Sequence, residues 1–123
     1  MALPRRQAKK PKRESRFKSQ AHLSFVRSFH CAWPDCSRSP IEAAHVRIGS
    51  GAGVGQKPDD YRAVPLCGGD ADFIGHHAQQ HSIGERSFWS AYEKAAGQSV
   101  EALIDSLCNA SPRRQQIKDH RNG

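Results

Sequence analysis

IEAAHVRIGSGAGVGQKPDDYRAVPLC, residues 41–67, decides how this chain folds. A short apolar run leads to His45. Four glycines within residues 49–55 then rule out regular structure. A turn through Pro58, Asp59 and Asp60 follows, and a second apolar run closes on Cys67. Two short runs around a flexible loop predict a pair of strands, PIEAAHV and YRAVPLC. A histidine ends the first strand and a cysteine ends the second. That order raises the question of what chemistry the hairpin serves.

The flanks read as helices and turns. Leu23, Val26 and the pair Phe25/Phe29 recur at helical spacing behind Ser19, a candidate N-cap. CAWPDC, residues 31–36, is a turn between two cysteines. Residues 70–82 are expected to form a helix carrying HHAQQH. GERSFWSAYEKAAG is an amphipathic helix with Phe88, Trp89 and Tyr92 on one side and Gly97 as its stop. Ser99 caps a further helix whose apolar face is Val100, Leu103, Ile104 and Leu107. Residues 111–123 read as a flexible polar tail. The expected class is α+β, one domain over residues 20–110, with no internal repeat.

A chain of 123 residues is one small domain. Only 37% of it is hydrophobic and 7% aromatic, a thin core that calls for a staple. The net charge of +7 sits entirely in the N-terminal stretch. Residues 1–20 hold eight Lys/Arg against Glu14 alone, while the rest of the chain balances to zero. Residues 1–19 are therefore expected to be a disordered basic arm for nucleic-acid phosphates, contacted by Arg5, Arg6, Lys9, Lys10, Lys12 and Arg13. Arg47 and Lys57, beside the glycine-rich loop, join them as candidate contacts. No apolar segment follows the charged N-terminus as a secretory leader would require. No run approaches the roughly 20 apolar residues of a membrane span. A cytoplasmic location without membrane contact is expected, where Cys/His clusters read as metal sites.

Cys31 and Cys36 have four residues between them, including the Pro34-Asp35 turn, a spacing that turns two thiolates onto one ion. Cys67 and His76 complete a candidate closed structural zinc site, while Asp70 and Asp72 stand as rival ligands to the histidine. Cys108 reads as plain core. His77 and His81 share one helical face and can hold a second divalent ion. His45 is a candidate general base, since imidazole takes protons near neutral pH. Strand pairing should bring it close to the helix of His77 and His81. Asp59 or Asp60 can orient that base or bind metal, or simply make the turn after Pro58.

The order Cys-x4-Cys, AHVR, glycine-rich loop, KPDD, VPLC, HH…H and GE…FW resembles the HNH (ββα-metal, His-Me finger) nucleases. It is most similar to the phage-associated branch with the DUF968-type proteins and the Ref and Rap recombination nucleases. The resemblance spans roughly residues 22–90. It implies a zinc-stapled ββα-metal core with flanking helices and hydrolysis of DNA phosphodiesters in phage recombination or DNA processing, with a recombination or phage protein as a further partner. On it, His45 matches the base, and His77 and His81 match the ligands of one catalytic divalent ion (Mg²⁺, Mn²⁺, Ni²⁺ or Zn²⁺). The family's middle Asn has no direct match, and Asp60 is its substitute. Cys31, Cys36, Cys67 and His76 match the structural zinc knuckles. Ala44 departs from the pattern, because relatives carry an Asp or His ligand there. A non-catalytic, zinc-stapled DNA-binding module is the alternative expectation.

Overall fold

The computed structural model describes residues 2–4, 16–53 and 55–123. Helix α1 (Gln20–Arg27) is followed by strand β1 (Ile41–His45), a 3-10 turn (Asp60–Arg62) and strand β2 (Ala63–Cys67). Four helices complete the chain: α2 (His76–Ile83), α3 (Glu85–Ala96), α4 (Val100–Ala110) and α5 (Arg114–Asn122). The fold is a small α+β domain with a two-stranded antiparallel sheet. Its register runs from Ile41 opposite Cys67 to His45 opposite Ala63. A lone hairpin is marginal in water. Here every residue of β2 is buried, with α1, α2 and α4 packed against it.

The expected caps form. Ser19 Oγ accepts from His22 N at 3.1 Å, and Ser99 Oγ accepts from Ala102 N at 3.1 Å. Gly97 ends α3 at φ 73°, the left-handed conformation that favours glycine. Phe88, Trp89 and Tyr92 are buried together and pack edge to face, with Phe88–Trp89 centroids 4.9 Å apart and Trp89–Tyr92 5.1 Å apart.

Three expectations are corrected. The second strand begins at Ala63, because Tyr61 and Arg62 belong to the 3-10 turn. The helix expected over residues 70–82 begins only at His76. Residues 68–75 instead double back: Gly69 bridges Ile74, and Asp70 N donates to Phe73 O at 2.9 Å. The backbones of Gly69 and Gly75 lie so close that neither position has room for a Cβ. Finally, residues 111–123 are not a loose polar tail. Arg114–Asn122 is a helix whose one aliphatic side chain, Ile117, is 1% exposed in the core. His120 packs edge-on to both Phe17 and Tyr61, and Arg121 pairs with Asp105 at 3.1 Å. One apolar residue in a polar stretch has no periodicity to read, yet it is enough to seat a helix that ion pairing and ring packing also hold.

Arg62 ties the hairpin to α4. Its guanidinium donates to Val46 O (3.1 Å), Ile48 O (2.8 Å) and both oxygens of Glu101 (2.6 and 3.1 Å). Arg62→Met keeps most of the stem's packing but leaves those carbonyls without a donor. It should lower unfolding stability by about 2–3 kcal/mol, read as a lower urea midpoint. An unchanged midpoint would mean that water replaces the guanidinium at no cost. No helix among the described residues is long and apolar enough to cross a membrane.

Candidate metal centre and base histidine

The Cys31–Cys36 turn is set by its backbone. Cys36 N donates to Trp33 O at 3.1 Å, and Asp35 adopts φ 62°, a left-handed conformation that Asp tolerates better than most residues. This turn presents both thiols to the end of β2. The tight loop after Cys67 returns the chain so that His76, the first residue of α2, reaches the same point. One ligand atom from each of Cys31, Cys36, Cys67 and His76 lies within 4.8 Å of all the others. His76 Nδ1 is 3.3 Å from both Cys31 Sγ and Cys67 Sγ, and Cys36 Sγ is 3.9 Å from Cys67 Sγ. A tetrahedral ion with Zn–S bonds of about 2.3 Å separates its sulfurs by about 3.8 Å. The spacing and the three-sulfur, one-nitrogen donor set therefore fit zinc. A site with four protein ligands is closed and structural.

Its electrostatics agree. Burial pushes the Cys31 thiol up to about 12. Burial and the nearby Arg38 charge hold the His76 imidazole below its usual value. Without a cation the thiol stays protonated, so metal binding and proton release are linked. Trp33 stacks on the His76 ring at 5.1 Å and 10°, shielding the site. Asp70 and Asp72, the rival ligands, stand outside it: both are exposed, and Asp70 Oδ1 accepts from Asp72 N at 2.8 Å. Cys108 is core, buried with its Sγ 3.4 Å from Tyr61 O.

His45 lies at the end of β1 with its side chain directed at Asp60. The His45 Nε2 to Asp60 Oδ1 distance is 2.9 Å. Asp60 is almost fully buried and also accepts from Arg16 (2.8 Å) and from Ser19 N (2.8 Å). Burial alone would raise the Asp60 carboxyl, but the bonds from His45, Ser19 and Arg16 and the Arg16 charge outweigh it, and its net value is depressed. The ionised carboxylate only accepts, so Nε2 of His45 carries the proton and Nδ1 of the neutral ring keeps a lone pair.

His22, behind Asp60, is buried with Nδ1 2.8 Å from Ser111 Oγ. Burial lowers its pKa although the Asp60 charge pulls the other way. The signs of these shifts give a pH prediction. The unfolded chain takes up the His22 proton first, so stability present above about pH 6.5 declines as pH falls below it. The Asp60 contribution holds above about pH 3.9 and is lost below that, toward its depressed native value. Urea midpoints should drop between pH 7 and 5, and less steeply in His22→Gln. A flat wild-type profile over that range would contradict the buried neutral imidazole.

His77 and His81 lie on one face of α2 with ring centroids 5.2 Å apart. His77 Nδ1 is 3.0 Å from Glu42 Oε1 on β1. The expected approach of His45 to the helix of this pair is seen through the backbone of His45. Helix and strand do meet, since Gln80 Nε2 donates to His45 O at 3.3 Å. Strand side chains alternate, however. Glu42 and Ala44 share one face of β1 and His45 has the other. Among the described residues, the three imidazoles do not form one close group. Since His77 meets Glu42 and Gln80 meets His45, α2 runs alongside β1 in the same direction, which puts His81 toward the His45 end.

Arg5, Arg6, Lys9, Lys10, Lys12 and Arg13 lie outside the described residues. Arg47 braces the glycine-rich loop, donating to Gln56 O (2.9 Å) and Gly53 O (2.8 Å). Glu85 Oε1 accepts from Arg47 N at 2.8 Å and so fixes the start of α3 to the end of β1. Lys57 faces a cleft of about 240 Å³ that Arg16, Ser50 and Gly51 also line. Two contributors were missed from sequence, Glu42 and Arg16. Neither belongs to a motif, and only the strand alternation hinted that Glu42 shares the face of Ala44.

No curated protein and no solved structure matches the chain significantly. A family model, described as "Protein of unknown function (DUF968)", matches residues 2–112. With nearly the whole chain matched, including the Cys3His cluster, the hairpin and α2, this protein belongs to the DUF968 family.

Proposed function

We propose that this protein is a metal-dependent DNA endonuclease of the HNH type, serving phage or prophage recombination or DNA processing. The observation that carries the reading is the His45–Asp60 pair at the end of the hairpin. A buried carboxylate with three donors holds one imidazole by Nε2 and leaves Nδ1 as a base. His45 Nδ1 would take a proton from the attacking water, while Asp60 stabilises the imidazolium that results. A divalent cation held by His77 and His81 would supply charge stabilisation at the phosphate and the leaving oxygen. Arg16 anchors the root of the basic arm to Asp60, so the arm begins beside the base. The arm and Lys57 would contact phosphates without reading sequence.

A non-catalytic, zinc-stapled DNA-binding module is favoured by one observation. Ala44, where the HNH pattern has a metal ligand, is fully buried and offers none. The deciding experiment incubates zinc-loaded protein with supercoiled plasmid and Mg²⁺, Mn²⁺, Ni²⁺ or Zn²⁺, with EDTA as control, and measures DNA binding in parallel. Metal-dependent nicking supports the endonuclease. Salt-sensitive binding without nicking under any of these ions would transfer the assignment to the binding module.

A further inference from the structure

Glu42 lies two residues before Ala44 on the same face of β1, and its Oε1 is 3.0 Å from His77 Nδ1. With an acceptor-only carboxylate there, the neutral His77 ring carries its proton on Nδ1 and keeps its lone pair on Nε2. His81 stands one helical turn on, its ring inclined 42° to that of His77. Two imidazoles at this spacing can close on one ion. A ligating histidine commonly gives its other N–H to a carboxylate, which fixes the tautomer and strengthens the ligand.

The Glu42 carboxylate lies close over Gly68. A Cβ on Gly68 would stand 3.1 Å from both Cδ and Oε1 of Glu42, closer than side chains usually approach. Gly68 follows Cys67 in the chain, and His77 follows His76. The His77 end of the contact thus adjoins the Cys3His cluster directly, and at the other end strand pairing sets Glu42 opposite Leu66, next to Cys67. The donor set also bears on the choice of ion. Imidazole nitrogens suit the later first-row divalent metals, whereas Mg²⁺ prefers oxygen.

Resting on the reading of His77 and His81 as ligands, we propose that Glu42 is the positioning residue of a two-histidine site. It locks His77 with Nε2 available beside His81, for Ni²⁺, Co²⁺ or Zn²⁺ in preference to Mg²⁺.

The test is calorimetric titration of zinc-loaded full-length protein with Ni²⁺, together with nitrogen-15 NMR of the imidazole rings. The wild type should show one Ni²⁺ site that His77→Ala and His81→Ala each remove. Glu42→Gln, nearly isosteric at an exposed position, should weaken that site about 10–100-fold and release the Nδ1–H tautomer of His77. Gly68→Ala should shift affinity in the same direction by crowding the carboxylate. Millimolar Mg²⁺ should not displace Ni²⁺. Equal Ni²⁺ affinity and an unchanged tautomer in Glu42→Gln would overturn the role of Glu42. Unchanged binding in His81→Ala would overturn the two-histidine site. These failures are separate from that of the endonuclease reading, which is judged by plasmid nicking and by His45, a residue outside this contact.

Discussion

His45→Ala should reduce plasmid nicking by about 10²–10⁴-fold, the usual contribution of a positioned general base, while DNA affinity stays within about twofold. The asymmetry follows from where the side chain sits. His45 is bonded to Asp60 and belongs to none of the cationic side chains expected to meet phosphate, so its removal takes a proton acceptor and no cation. Some loss of stability is expected, because Asp60 keeps Arg16 and Ser19 N but loses its third donor. Thermal melting of the variant separates that loss from catalysis. Asp60→Asn makes the complementary case. The amide is nearly isosteric but can present its NH₂ to His45 Nε2, which would favour the opposite tautomer and withdraw the lone pair from Nδ1. A nicking rate in His45→Ala equal to wild type, with metal present and both proteins folded, would remove the base assignment and leave the binding module.

The parts of this fold that were legible in sequence share one property: they are set by local pattern. The two runs around the glycine-rich loop, the caps at Ser19 and Ser99, the stop at Gly97 and the aromatic face of α3 each follow from residues within a few positions of one another. The Cys3His cluster was legible because cysteine in such spacing has few other uses; His76 was its expected fourth member, and the 68–75 loop leaves Asp70 and Asp72 outside it. What could not be read depends on long-range placement. Arg16 meets Asp60 across 44 positions, and Glu42 meets His77 across 35. Nothing near Arg16 distinguishes it from the other cations of the arm. Likewise Ile117 looks like an isolated apolar residue until α4 and the hydrophobic core supply the surface that buries it. The phase of β1 was available from strand alternation. It already implied that Glu42 and His45 face opposite ways on the strand.

Removal of zinc should have the largest effect on the molecule as a whole. A structural Cys/His zinc site contributes about 10–16 kcal/mol of apparent binding free energy near neutral pH, comparable with or above the 5–15 kcal/mol that typically holds a domain folded. In this protein the four ligands join the turn before β1, the end of β2 and the start of α2. Without the ion those three segments are held mainly by a two-stranded sheet and a few aromatic contacts. Treatment with a strong chelator, or Cys67→Ser, should therefore abolish the cooperative thermal transition and the dispersed NMR spectrum. Cys67→Ser is the more incisive of the two, because serine nearly matches the thiol in size and its cost is mostly the lost ligand. His77 would lose its place beside Glu42 in the same event, since His76 precedes it and Gly68 follows Cys67. Nicking and Ni²⁺ binding should accordingly vanish together with the fold, in contrast to His45→Ala, which removes nicking alone. Metal analysis showing one zinc per chain, with unfolding on its removal, is the expected outcome. A metal-free protein that keeps its melting temperature would mean that the Cys3His cluster is a set of buried thiols and that the small hydrophobic core suffices by itself.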